Sequence, residues 1–168
     1  MANQTYFDVS IQELDRPGNT TAYSALDSVS DNATAGSVSP LVIRNIGIAD
    51  QIVWFEEFKL ETSDTGLGNG VQVRVHLFNQ DPTLNSGVQG GDNAAWANKR
   101  AGWVGSFVGT FILMNDGGMA RCVPEAGNFV MTRIAASGNN FWWQLQTLGA
   151  FTPSANSTLI KGAAKGFF

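Results

Sequence analysis

From Val71 to Phe78 the chain alternates without a break. Val71, Val73, Val75 and Leu77 take one side, and Gln72, Arg74, His76 and Phe78 take the other. A strand points successive side chains to opposite faces, so alternation of period two marks a ribbon with one buried side. The pattern recurs where Phe7, Val9 and Ile11 alternate with Asp8, Ser10 and Gln12. Further runs rich in Val, Ile, Phe and Trp cover 38–46, 51–61, 104–114, 119–123, 129–134 and 141–148, with a weaker one over 158–161. Such side chains pack well on a pleated, half-buried surface. Turn residues separate the runs: Gly66-Leu67-Gly68-Asn69-Gly70, which reads as a glycine-rich hairpin, then Asn115-Asp116-Gly117-Gly118 and Ser137-Gly138-Asn139-Asn140. The second of these joins two apolar runs and predicts a hairpin connection.

No stretch sustains a helical period. The nearest is Asn93 to Lys99, where Ala94, Ala95 and Ala97 suggest one short turn. Eight or nine strands with tight turns predict an all-β fold, a two-sheet antiparallel β-sandwich or jelly roll with little or no helix. At 168 residues the chain suits a single domain spanning 1–168. One long connection, from Asn79 to Gly102, is polar and glycine-rich apart from Trp96. Loops of that length in compact domains are functional or are ordered by a partner.

Composition narrows the function. Charged residues make up 14% of the chain, against about 25% in an ordinary soluble protein. Polarity comes instead from Asn, Ser, Thr and Gln. A net charge of −4 and a pI near 4.8 argue against nucleic-acid binding, which needs a basic face. No apolar run approaches the ~20 residues of a membrane-spanning helix, so no membrane partner is expected. The N-terminus shows no basic segment followed by an apolar one, so no signal peptide is expected. The single cysteine, Cys122, reads as a small half-buried residue beside Val123.

The residues for catalysis are sparse. His76 is the one histidine and sits mid-strand, where a surface-facing or sheet-packed imidazole is expected. One His and one Cys leave a zinc site two ligands short. Two carboxylates suffice for glycoside hydrolysis. Glu56 and Glu57, however, are adjacent on a strand and should point to opposite faces. Asp64, Asp81, Asp92 and Asp116 lie near turns, where Asp commonly bonds its own backbone. The oxygen-rich pairs Asp64-Thr65 and Asp92-Asn93 could contribute calcium ligands, but EF-hand spacing is absent. The expectation is a protein that is not an enzyme and carries no cofactor or metal.

The aromatics are a better lead. Trp142-Trp143 and Trp54-Phe55 each place one ring inward and one outward if they lie on strands. Trp54 and Phe141 are expected in the core. Trp96, Phe167 and Phe168 are expected at an interface, because interface cores lose charge and gain aromatics.

The run Arg16-Pro17-Gly18-Asn19-Thr20-Thr21-Ala22-Tyr23-Ser24-Ala25-Leu26-Asp27-Ser28-Val29 has further partners in Arg74-Val75-His76-Leu77-Phe78 with Pro82, Gly91-Asp92-Asn93, Gly105-Ser106-Phe107 and Ala150-Phe151-Thr152-Pro153-Ser154. In this order they resemble structural proteins of tailed bacteriophages of the head decoration, or cement, type. The terminal 161–168 segment has no counterpart in that pattern. The resemblance implies a virion protein on the outer capsid surface, assembled in the host bacterial cytoplasm. Its implied partners are the major capsid protein and copies of itself, as a homotrimer. Extended termini would supply docking arms, here 1–5 and 162–168. The expected contact residues are Tyr6, Trp96, Phe167 and Phe168, with Arg16 and Tyr23 shaping the N-terminal segment.

A second reading is a carbohydrate-binding, receptor-binding or lectin-like module, with Trp143, Trp96 and Asn139-Asn140 as its platform. A tail or connector protein is a third.

Overall fold

The computed structural model describes residues 5–34, 36–82, 91–96, 101–136, 138–154 and 158–168. The protein is all-β and sandwich-like, with every strand pairing antiparallel. The strands among the described residues are β1 (Tyr6–Ser10), β2 (Leu14–Arg16), β3 (Ser28–Val29), β4 (Leu41–Ile43), β5 (Ile52–Thr62), β6 (Gln72–Phe78), β7 (Trp103–Thr110), β8 (Ile112–Met114), β9 (Gly117–Pro124), β10 (Met131–Arg133), β11 (Phe141–Thr147) and β12 (Thr158–Phe167). They run in one path, β1-β12-β5-β9-β7-β6-β11-β3, with the short strands filling free edges.

Strand β9 joins the two layers. Its residues Gly118–Cys122 pair with β5, and Val123 and Pro124 pair with β7. Gly109 on β7 permits the crossing, because a Cβ there would lie 2.6 Å from the Arg121 carbonyl oxygen and 2.7 Å from Cys122 Sγ. In the first layer β12 lies between β5 and the pair β1 and β2. In the second, β6 lies between β7 and β11, and β11 carries β3 and β4 on its far edge.

Alternation explains the core between the layers. Val73, Val75 and Leu77 of β6 are fully buried, as are Val53, Phe55, Phe58 and Leu60 of β5. Phe58 meets Phe107 edge-on at 4.8 Å, and Phe55 meets Phe141 at 5.0 Å, so aromatic pairs stitch one layer to the other. Each such pair contributes about 0.5–1.5 kcal/mol beyond its buried area. The other face of β6 departs from simple alternation, because His76 and Phe78 are buried too. Part of the long connection covers His76, where Trp96 stacks on its ring at 4.1 Å.

Several local expectations need correction. The one helical turn among the described residues is α1 (Thr65–Gly68), overlapping the stretch Gly66–Gly70 expected to be a plain hairpin. Asp64 caps it, accepting from the Gly66 and Leu67 amides. The turn expected over 93–99 is not helical through residue 96, where Ala95 instead bridges Asp27; residues 97–99 lie outside the described residues. The expected hairpin at Asn115-Asp116 is present, closing β8 onto β9 with Met114 opposite Gly117.

The C-terminal arm is the largest correction. Residues 162–167 are the end of β12, paired on both sides. Gly162 and Gly166 let the neighbouring backbones approach so closely that a Cβ at either would collide with a β5 carbonyl oxygen. Of the expected N-terminal arm, residues 1–4 lie outside the described residues, and Thr5 exchanges two backbone hydrogen bonds with Phe168 at 2.8 and 3.0 Å.

Candidate interaction surface

The outer face of the first layer carries three bands. In the middle lies a ladder of alternating charge. Asp8 on β1 pairs with Lys165 on β12 at 2.9 Å, and Lys165 lies 3.8 Å from Glu57 on β5. Glu57 also pairs with Arg121 on β9 and with Lys59 at 3.8 Å. Toward one end, Ile112, Leu113 and Met114 of edge strand β8 are exposed beside Met119.

At the other end lies an apolar row in strict register. Met131 faces Trp54, Trp54 faces Phe167, and Phe167 faces Tyr6, so one row crosses β10, β5, β12 and β1. Residues directly opposite on neighbouring strands share a face. Phe167 stacks on Trp54 at 5.4 Å, and Phe129 meets Trp54 edge-on at 5.7 Å. Tyr6 is 57% exposed, Met131 50% and Phe129 77%. Gly166 makes the row possible, since a Cβ there would press on the Phe7 ring at 2.8 Å as well as on the Trp54 carbonyl.

A groove of about 490 Å³ runs beside the row, with Tyr6, Trp54, Phe129, Glu56, Glu57 and Arg121 in its lining. Simple alternation predicts the two glutamates on opposite faces. A β-bulge overturns this: Lys165 pairs with Glu57 and Gly166 with Phe55, which leaves Glu56 as an extra residue on β5. Both carboxylate-bearing residues therefore line one groove.

The expected site residues separate into three groups. Tyr6 and Phe167 belong to the exposed row. Phe168 does not; it stacks on Phe7 at 6.0 Å and packs against the core. Trp96 is half-buried against His76. Arg16 and Tyr23, expected to shape the N-terminal segment, are buried. Their partner is Asp92, which takes a 2.5 Å hydrogen bond from the Tyr23 hydroxyl, a 3.3 Å ion pair from Arg16 and a 3.1 Å bond from the Ser30 amide. Tyr23 also stacks on Phe151 at 4.5 Å. Burial and the Asp92 carboxylate push the Tyr23 phenol well above its ordinary range. Burial likewise raises Asp92, against the opposing donors Tyr23, Ser30 and Arg16. The motifs in 16–29, 91–93 and 150–154 thus converge on one buried knot that anchors the long connection.

Trp54, expected in the core, is half-buried on the outer face, and Phe55 takes the inward place. Phe141 is in the core as expected. Trp143 is fully buried, which removes it from the expected sugar platform. Cys122 is fully buried rather than half-buried, and burial pushes its thiol up to about 12.

Long-range pairing also gathers a polar layer on the outer side of the second sheet. His76 lies opposite Ser106 on β7 and Gln144 on β11. The Ser106 hydroxyl donates to Glu125 at 2.7 Å, Arg74 grips the same carboxylate, and His76 Nε2 lies 3.2 Å from Gln146 Oε1. These commitments hold the serine to the carboxylate and the imidazole to an amide, not the serine to the imidazole, whereas nucleophile activation needs that last bond. Asp64 and Asp92, the acids of the two candidate calcium loops, spend their oxygens on internal donors. Among the described residues, no three His, Cys, Asp or Glu side chains gather as a metal site.

No family model matches this sequence, and no curated protein matches it. Among solved structures, an acetyl xylan esterase (Est2A) from Butyrivibrio proteoclasticus aligns at 10% identity and a TM-score of 0.29, covering 98% of this chain and 33% of its own. A family two carbohydrate esterase from Cellvibrio japonicus aligns at 9% identity and a TM-score of 0.14, covering 90% of this chain and 36% of its own. The chain thus spans about a third of the length of each. Likeness at that level carries no argument about fold or activity.

The signal for the row is partly legible in the sequence. Tyr6, Phe167 and Trp54 are each visible as aromatics, but their alignment depends on pairings between segments far apart in the chain. Met131 and Phe129 escape a reading of the sequence, since neither stands out without its neighbours.

Proposed function

We propose that the protein is a non-enzymatic virion component, a head decoration protein that lays its aromatic face on the outer surface of a phage capsid and reinforces the shell. The observation that carries this reading is the outward-facing row Met131–Trp54–Phe167–Tyr6, exposed at Met131 and Tyr6 and half-buried between them, with the exposed Phe129 beside it. Contiguous exposed apolar residues mark interaction surfaces, and aromatics and Met are the residue types enriched at their cores. The resemblance of the 16–29, 74–78, 91–93, 105–107 and 150–154 motifs to decoration proteins supports the same reading. The partner is the major capsid protein, and the same resemblance implies a homotrimer on the shell, a closed symmetric assembly.

Two measurements test it together. Mass spectrometry of purified virions should find the protein in hundreds of copies per particle, and light scattering should give a mass of three 18.0 kDa chains. A Trp54→Ser, Phe129→Ser double variant should fold and yet fail to load onto capsids that lack the protein. Absence from virions, or normal loading by the variant, would sink the proposal.

A further inference from the structure

We infer that the groove beside the aromatic row seats a basic side chain, Arg or Lys, presented by the protein surface that this face docks against. The inference rests on the reading of the row as a docking face and names the chemistry its partner must carry. The β5 bulge sets Glu56 and Glu57 along the same groove. Glu57 is already neutralised by Arg121, Lys59 and Lys165. Glu56 is exposed, and its carboxylate makes no ion pair or hydrogen bond with the described residues. Arg121 lies on the same groove and bonds Glu57 through its Nε, but it forms no ion pair with Glu56.

Docking on the row would take Glu56 out of water along with Trp54, Tyr6 and Phe129. A carboxylate buried without a counter-charge is strongly penalised. A purely apolar partner would leave Glu56 in that position, and an acidic one would worsen it. A cation resolves the conflict in two ways at once. It pairs with the Glu56 carboxylate by charge-assisted hydrogen bonds, and it lies beside the Trp54 and Tyr6 rings that line the same groove. Arg fits better than Lys, since its planar guanidinium can stack and pair at the same time.

The test uses 1H–15N NMR of the full chain, following the Trp54 indole N–H and the amides of Glu56 and Phe129. The probes are three pentapeptides, acetyl-Gly-Trp-Xaa-Leu-Gly-amide, with Arg, the isosteric but neutral citrulline, or Glu at Xaa. The Arg peptide should bind at least about fivefold more tightly than the citrulline peptide, with the Glu peptide weakest. Glu56→Gln, an exposed substitution, should leave the remaining spectrum unchanged and erase the difference between Arg and citrulline. Equal binding of Arg and citrulline peptides at Trp54 would overturn the cation seat while leaving the docking face intact. Binding of neither peptide would also overturn the seat, and capsid loading would then judge the docking face separately.

Discussion

His76 joins an inner strand to the long connection, and its protonation measures how dry that contact is. The ring is nearly fully buried, stacked on Trp96 and within 3.2 Å of Gln146 Oε1. Burial lowers its pKa from 6.5 to about 4, with the Gln146 contact opposing and the Arg74 charge assisting. The unfolded chain titrates at the ordinary value. Above pH 6.5 both states carry neutral imidazole; between 6.5 and 4 the unfolded state alone takes up the proton. Stability is therefore lost as the pH falls through that window, and the loss is complete below pH 4. At about 1.4 kcal/mol per pH unit the total is roughly 3 kcal/mol. His76→Gln removes the titration and the ring stack, the latter costing about 1 kcal/mol. The variant should be less stable than the wild type at pH 7.5 and more stable by roughly 2 kcal/mol at pH 4.5, with the two curves crossing somewhat below pH 6. Urea unfolding followed by tryptophan fluorescence from pH 4.5 to 7.5 measures this. Carboxylates common to both proteins cancel in the difference. A difference that stays constant across that range would refute the reasoning, since it would mean that folded His76 titrates as if in water.

Three further outcomes come from the packing. Asp64 is fully buried, and although burial works against its ionisation, the Ser154 amide and hydroxyl, the Thr158 hydroxyl and the Leu67 amide hold its carboxyl below the usual carboxylate range. Asp64→Ala should cost about 3 kcal/mol in urea unfolding, as a helix cap and several buried donors are lost together. Gly166→Val should lower the melting temperature by at least about 5 °C in calorimetry, because the new side chain must displace Trp54 or Phe7. Cys122, with a buried thiol pushed up to about 12, should resist Ellman's reagent at pH 8 in the folded protein and react fully in guanidinium.

What the chain reveals by itself is local. Alternation over 71–78 reports a strand because successive side chains must point to opposite faces, and it needs no partner to be read. The hairpin at Asn115-Asp116 and the capping role of Asp64 are legible for the same reason, since turn and cap bonds close within a few residues. The all-β class rests on many such short readings. Tertiary structure decided everything that depends on which strands meet. Arg16 and Asp92 lie 76 positions apart, so nothing local shows that a buried ion pair is what fixes the segment Arg16 and Tyr23 shape. The C-terminal segment reads as a free arm because its glycines and alanines carry no strand signal. Yet Gly162 and Gly166 are where β5 carbonyls come too close to admit a Cβ, and the segment is paired with β5 and β1 on its two sides. Alternation also fails at Glu56, where a single extra residue in β5 reverses the facing of the rest of the strand. That bulge sets two acids in one groove beside an aromatic row assembled from four strands. Period two assigns side chains to a face. Only the register between strands decides which of them share it.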